Sequence, residues 1–416
     1  MEEAGLHVED NAYDAGQLAQ AFELESLPED FYASPCRHYD ALREGAPMKR
    51  LANGSVFLTR YADLELVYRN PKLFSSDKKC DFRPRFGDTP IYEHHTTSLV
   101  FNDPPLHMHV QRVLQGALAP KAIAYMKHPL IAFVDRLLDQ AEARGRLDLV
   151  EDFAAAIPIE VISNLLGVPH TERGPLRRWS LLILGALEPV VSPGNLVEAS
   201  AAVVDFLTYL RGLIAERRCA LRDPDLDVLS RLILGERNGE RLTELQLLHN
   251  CIFLLNAGHE TTTNFIGNAL MTLLENPGEK QRLIEQPGLM PTALEEFLRY
   301  ESPNQLGNRS VAERCELGGE VMDPGTSLTL CIGAANRDAR KFEKADRLDI
   351  GRTPNRHLAF AGGTHLCLGM SLARLEAGTA IAGLLARFPA FALDGELVHS
   401  RRARFRGYSR IPVRVG

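Results

Sequence analysis

Between Phe360 and Gly369 the chain reads Phe-Ala-Gly-Gly-Thr-His-Leu-Cys-Leu-Gly, a single cysteine, Cys367, set among Gly362, Gly363 and Gly369. A helical pattern, Met370–Phe388, follows at once. Glycine reaches positive φ and lets backbone lie close against a flat ligand. A cysteine at a helix N-terminus meets unpaired N–H groups and the positive end of the helix dipole, which stabilise a thiolate. Hydrogen bonds to that sulfur also tune a metal it ligates. Two readings are open on these residues alone. One is a ligating thiolate, and the other is a buried cysteine in a tight turn, the commonest fate of free cysteine.

A second group lies upstream. Asn256, Gly258, His259, Glu260, Thr261, Thr262 and Thr263 interrupt an apolar stretch that runs from Cys251-Ile-Phe-Leu-Leu255 to Phe265-Ile266. An acid beside an alcohol is suited to moving protons. Burying Glu260 costs free energy unless it is paired or hydrated. The segment is therefore either a solvent-facing stripe or a helix opened locally to line a site. Glu296 and Arg299 stand at i, i+3, where they pair on one helix turn. His94-His95 and His107-Met-His109 raise the question of a metal site, but no His-Glu-x-x-His pattern exists.

These groups need long helices to hold them. Thr243 with Gln246 three residues on fits a capping box, and no proline follows until Asn276-Pro277. About 33 residues at ~1.5 Å each give a helix near 50 Å long, enough to cross a domain. Ile159–Leu166, Phe206–Ile214 and Ala380–Phe388 carry the i, i+3, i+4 recurrence of buried helix faces. Strand signals are confined to Ser55–Thr59, Thr326–Leu330 and Arg410–Val415. The expected fold is mainly α with a small β lobe, an α+β arrangement in one large domain over residues 31–416. Residues 1–30 are expected to form an acidic, partly flexible extension.

Composition narrows the class. The 416 residues hold 47 basic and 54 acidic side chains and are 45% hydrophobic, values of a globular chain with no reason to bind nucleic acid. Seven cysteines, odd in number and never in Cys-x-x-Cys pairs, argue against a disulfide scaffold and favour a reducing compartment. No basic, apolar leader opens the sequence and no apolar run approaches a membrane span, so a cytoplasmic protein with no membrane anchor is expected.

Taken in order, the motifs resemble those of the cytochrome P-450 heme-thiolate monooxygenases, in particular the bacterial type. Phe360–Gly369 is similar to their heme-binding loop, Phe-x-x-Gly-x-His/Arg-x-Cys-x-Gly. Ala257-Gly-His-Glu-Thr261 resembles their oxygen-activating motif on the long central helix over the heme. Glu296 and Arg299 match their Glu-x-x-Arg. Ala335-Asn-Arg-Asp338 is similar to Asn-Arg-Asp-Pro, with Ala339 in place of the proline. Asp103-Pro-Pro105 followed by His107 resembles the start of the heme-flanking helix. The match spans about residues 30–416.

The resemblance implies heme b with Cys367 as axial iron ligand, and Phe360 and Gly369 beside it in the cofactor loop. A thiolate in that position favours O–O cleavage. Arg309 and His365 are implied to hold the propionates, with His107 opposite. Gln111 stands where the family usually has a propionate-binding arginine, and losing that charge forgoes on the order of 1 kcal/mol. Glu296, Arg299 and Arg352 look like the structural ion-pair triad. Glu260 and Thr261 are implied to be catalytic, delivering the protons that oxygen activation consumes. By position, Phe253, Asn256, Ala257, Leu306, Gly307, Tyr408 and the stretch Phe82–Phe101 should wall the substrate pocket, Asn256 bonding a substrate oxygen.

The implied activity inserts one oxygen atom of O2 into a lipophilic small molecule. Electrons would come from NAD(P)H through a ferredoxin (or flavodoxin) and a separate reductase. Beyond Phe388 fewer than thirty residues remain, too few for a fused reductase. A monomer is expected, with Arg112, Lys121 and Arg374 as a basic docking face. A peroxide-driven peroxygenase and a non-catalytic heme sensor are the alternatives. The Glu260–Thr261 pair favours oxygen activation over both.

Overall fold

The computed structural model describes residues 15–118, 120–224, 226–235 and 241–415. Its axis is the helix Glu244–Glu275. The cap forms as expected: Gln246 N donates to Thr243 Oγ1 at 3.2 Å and Thr243 N to Gln246 Oε1 at 2.9 Å. Twenty-two of its 32 residues are buried. A helix buried on most of its circumference lies inside the molecule, so its polar residues are interior groups rather than a wet stripe.

Helices Ala156–Leu166, Leu176–Gly185, Pro193–Cys219, Met290–Tyr300 and Met370–Arg387 pack around that axis. One close crossing depends on a missing side chain. A Cβ at Gly258 would stand 2.7 Å from Ile162 Cδ1, so glycine is what admits the helix Ala156–Leu166 at this depth. Pro120 and Pro277 each open a helix, where the absent N–H costs nothing.

The β lobe is a five-stranded sheet. Val56–Leu58 pairs antiparallel with Met48–Arg50 and parallel with Ser327–Cys331. Ser327–Cys331 pairs antiparallel with Leu306–Val311, and that strand with Phe74–Ser75. Successive side chains face opposite sides of a strand. Val56 and Leu58 thus pack with Tyr61 and Leu330 on one face, and Phe57 with Leu42 and Leu306 on the other.

Two expectations need correction. Residues 15–30 are not a separate extension: helix Ala15–Ala21 packs on Cys36–Gly45, and Phe22 is buried with its ring 4.9 Å from that of Phe57. Residues 1–14, the rest of that expected extension, lie outside the described residues. The expected strand Arg410–Val415 divides into Tyr408–Arg410 and Pro412–Arg414, which join different sheets. Among the described residues no helix is long and apolar enough to cross a membrane.

Candidate functional site

The Cys367 loop is shaped by its backbone. Ala361 and Gly363 have φ of 58° and 63°. A Cβ at Gly363 would meet the Tyr68 carbonyl oxygen at 2.0 Å, so that position requires glycine. Cys367 N donates to Phe360 O at 3.0 Å, closing the loop. Helix Met370–Arg387 starts behind it with Gly369 as N-cap. The N–H groups of Gly369 and Met370 donate to the sulfur, and with Arg374 they oppose the burial that raises its pKa.

A cavity of about 350 Å³ lies between this loop and the central helix. Cys367, Phe360 and Gly369 line one side, and Phe253, Asn256, Ala257 and Thr261 line the other. Leu306, Gly307 and Arg309 reach it from the sheet, and His107 and Gln111 from helix Leu106–Ala117. From the expected stretch Phe82–Phe101, His94, His95 and Ser98–Phe101 contribute.

The rim beside the loop carries one cation, Arg309, and two unpartnered ring nitrogens. The His107 and His365 rings lie 3.9 Å apart, and His107 Nδ1 and His365 Nε2 are buried with no hydrogen-bond partner. Burial, Arg309 and His107 together push the His365 imidazole down to about 2. Arg309 spends one N–H on the Asn308 carbonyl, 2.7 Å away. Ring nitrogens free to donate, beside the Arg309 guanidinium, fit the paired carboxylates of a heme edge. The slot beneath them ends on a sulfur, as an iron ligand requires. The residues present therefore fit heme. Gln111 donates to Thr364 O at 3.2 Å, tying its helix to the loop from within the cavity wall.

The central helix shows no opening. It is continuous, and its threonines turn hydroxyls back on the helix: Thr261 Oγ1 donates to Ala257 O at 2.7 Å and Thr263 Oγ1 to His259 O at 2.9 Å. Thr261 borders the cavity, but Glu260 does not. One residue along a helix is a turn of ~100°. The Glu260 carboxylate instead takes both bonds from Arg402 Nη1, at 2.6 and 2.8 Å, while Arg402 Nη2 donates to Leu181 O. Burial pushes this carboxyl up to about 7, with Arg402 opposing and Glu188 adding to the rise.

The Glu296 and Arg299 side chains are both 0% exposed. Glu296 accepts two bonds from Arg299, one each from Arg352 and Asn355, and one from Asp349 N. Arg299 also donates to the carbonyls of Asn336, Ala345 and Arg347. This triad does not border the cavity; it holds the chain segment that precedes the cysteine loop.

Other expectations fare differently. Tyr408 is not in the cavity wall; it stacks on His399 at 4.5 Å in its own strand. The bridge between Asn304 and Phe405 brings Arg404 and Phe405 to the wall instead, three residues earlier. Arg374 is not a free docking cation, because Glu295 holds it through bonds of 2.7 and 2.9 Å. Among the described residues no group of three or more His, Cys, Asp or Glu is arranged to hold a metal ion. Sequence reasoning missed Arg402, Arg404, Leu184 and Leu187, which carry no local signal.

A largely apolar cavity with a helix-capped cysteine on one side and an alcohol on the other fits a heme-thiolate enzyme. Residues 184–397 match the cytochrome P450 family profile. The chain is 33% identical to the biotin biosynthesis cytochrome P450 of Bacillus subtilis, over 92% of this chain and 97% of that one. Its fold matches the crystal structure of P450BioI in complex with hexadec-9Z-enoic acid ligated acyl carrier protein, with TM-score 0.88, 32% identity and coverage of 93% and 100%. It also matches CYP109E1 from Bacillus megaterium in complex with testosterone, with TM-score 0.85, 30% identity and coverage of 94% and 100%. The chain belongs to the cytochrome P450 family. It is a monooxygenase of that family, with heme b as its cofactor.

Proposed function

We propose that this monooxygenase hydroxylates a lipophilic small molecule, with electrons drawn from NAD(P)H through a separate ferredoxin or flavodoxin and its reductase. The observation that carries the substrate reading is the cavity wall. It is built mostly from Leu, Phe, Ile and Ala, with Asn256 set among them. Asn256 is 2% exposed, and neither its Oδ1 nor its Nδ2 has a partner. An apolar cavity with a few convergent polar groups selects a lipophile and orients it. Asn256 offers that substrate one donor and one acceptor.

Heme bound through Cys367 supplies oxygen activation. The residues of this chain supply position and protons. Thr261 holds a hydroxyl at the cavity wall, and its proton, now given to Ala257 O, is available to a stronger acceptor inside. Glu260, behind it, is the proton reservoir, reached when its carboxyl swings from Arg402. Thr261→Ala should keep heme and substrate binding but divert most reducing equivalents to hydrogen peroxide. Tight coupling of NAD(P)H use to product in that variant, with two different substrates, would remove Thr261 from the role.

The Glu260 role has a pH signature. A carboxyl that titrates near 7 is a proton donor below that pH and loses the proton above it. Turnover should therefore decline as pH rises through about 7. Glu260→Gln should turn over roughly 10²-fold more slowly, the low end for general acid catalysis, and without that decline. An unchanged pH profile in the variant would show that another group sets it. Reconstitution with NAD(P)H, ferredoxin and reductase, against peroxide alone, tests the electron source. Peroxide-only turnover would establish the peroxygenase alternative.

A further inference from the structure

Among the residues that border the cavity, His95 carries a buried ring nitrogen, Nε2, without a partner. His94 Nδ1 lies 3.4 Å from His249 Nδ1. His249 precedes Thr261 by twelve residues of the central helix, about 18 Å along its axis. His95 follows His94 in helix Pro90–Thr97, their ring centroids 5.1 Å apart, and both border the cavity. His95 is 3% exposed. One ring N–H donates to the Ile183 carbonyl, while Nε2 has no partner. The donor is therefore Nδ1, and the neutral ring presents a lone pair at Nε2.

The surroundings keep that ring neutral and dry. Phe82, Phe86 and Phe101 place their centroids 5.8–5.9 Å from it. Burial, then Arg85 and Arg404, push its pKa down to about 3. Arg85 donates to the carbonyls of Ala186 and Glu188, and Arg404 to those of Leu187 and Leu306 and to Asn308 Oδ1.

We propose that His95 Nε2 accepts a hydrogen bond from a hydroxyl at the end of the substrate remote from the oxidised carbon, so that the substrate is an uncharged lipophilic alcohol or phenol. This rests on the monooxygenase reading above and names the chemistry of its substrate. A carboxylate lacks the proton Nε2 needs, and an ether or ketone offers only a second lone pair. An amine would arrive as a cation beside Arg85 and Arg404, where like charges repel. A hydroxyl brings a donor without a charge.

The two amide isosteres of histidine separate its nitrogens. His95→Asn keeps an N–H near Nδ1 for the Ile183 carbonyl and leaves nothing at Nε2, whereas His95→Gln restores an acceptor there. Dodecan-1-ol, its methyl ether and dodecanoic acid are titrated into the heme-loaded protein, following the spin-state shift of the Soret band. The wild type should bind the alcohol about tenfold more tightly than the ether, the factor that 1.4 kcal/mol sets. That preference should vanish in His95→Asn and persist in His95→Gln. A preference that survives His95→Asn overturns the assignment. So does an alcohol bound no more tightly than its ether by the wild type, or an acid bound most tightly through His95. The reduced carbon monoxide spectrum keeps the two claims apart. If it is normal in every variant, the heme-thiolate site on which the monooxygenase reading rests is intact, and the ligand preference tests His95 alone. Its absence from the wild type would sink that reading itself.

Discussion

Replacing Cys367 by serine is expected to remove the reduced carbon monoxide band of the heme-thiolate and all oxygen insertion. The sulfur is the end point of everything the loop builds. Gly363 allows the backbone to pass Tyr68, Cys367 N closes the turn on Phe360 O, and the N–H groups of Gly369 and Met370 converge on the sulfur. A serine hydroxyl could accept the same N–H groups. It does not ionise near neutral pH, so it supplies neither the anionic ligand nor its push of electron density onto iron. The loop should still fold, because its backbone bonds do not involve the side chain. Changing any one of the other six cysteines should leave the band in place: Cys80 and Cys219 are exposed, Cys251 and Cys331 are buried elsewhere, and none borders the cavity. A Cys367→Ser protein that kept both the band and activity would sink the ligand assignment.

What was legible in the sequence was written over short distances along the chain. The capping box at Thr243 and Gln246, the cysteine loop and the Glu296–Arg299 pair each lie within about three turns of chain, so spacing alone announces them. The contacts that decide the environment are long-range. Glu260 finds Arg402 at a separation of 142 residues, and His94 finds His249 at 155. No local pattern marks Arg402 as the partner of a buried acid. The polarity of Glu260 through Thr263 was equally ambiguous until burial of the whole helix placed it inside. Tyr408 failed for a related reason. The resemblance placed it by its position in the chain, but the bridge from Asn304 to Phe405 decides which residues of the final segment reach the wall. Arg374 looked like a surface cation because Glu295, which holds it, comes from a different helix.

Arg299→Met should be the most damaging change among those that leave the cavity untouched. Both partners of the pair are fully enclosed, and Arg299 satisfies Glu296 twice and three main-chain carbonyls besides. Methionine fills much of the volume but provides no donor. The carbonyls of Asn336, Ala345 and Arg347 lose a shared donor, and Glu296 keeps only Arg352, Asn355 and one backbone N–H. Removing one partner of a buried pair typically costs about 3–5 kcal/mol, because the charge left behind has lost its solvent as well as its partner. With an unfolding entropy of ~2.1 cal/mol/K per residue, that corresponds to a melting temperature lowered by about 3–6 °C for a chain of this length. Heme should dissociate along with unfolding, since Glu296 anchors Asp349, Arg352 and Asn355 on the segment leading to the cysteine loop. Below the transition, the protein that remains folded should show the normal carbon monoxide band and normal coupling. Glu296→Leu combined with Arg299→Met removes both charges and should cost less than the two single changes added together. Thermal melts of the three variants, followed by the Soret band and by circular dichroism, test this directly. Strict additivity would mean that the two side chains contribute independently, and the pair would not be the anchor described here.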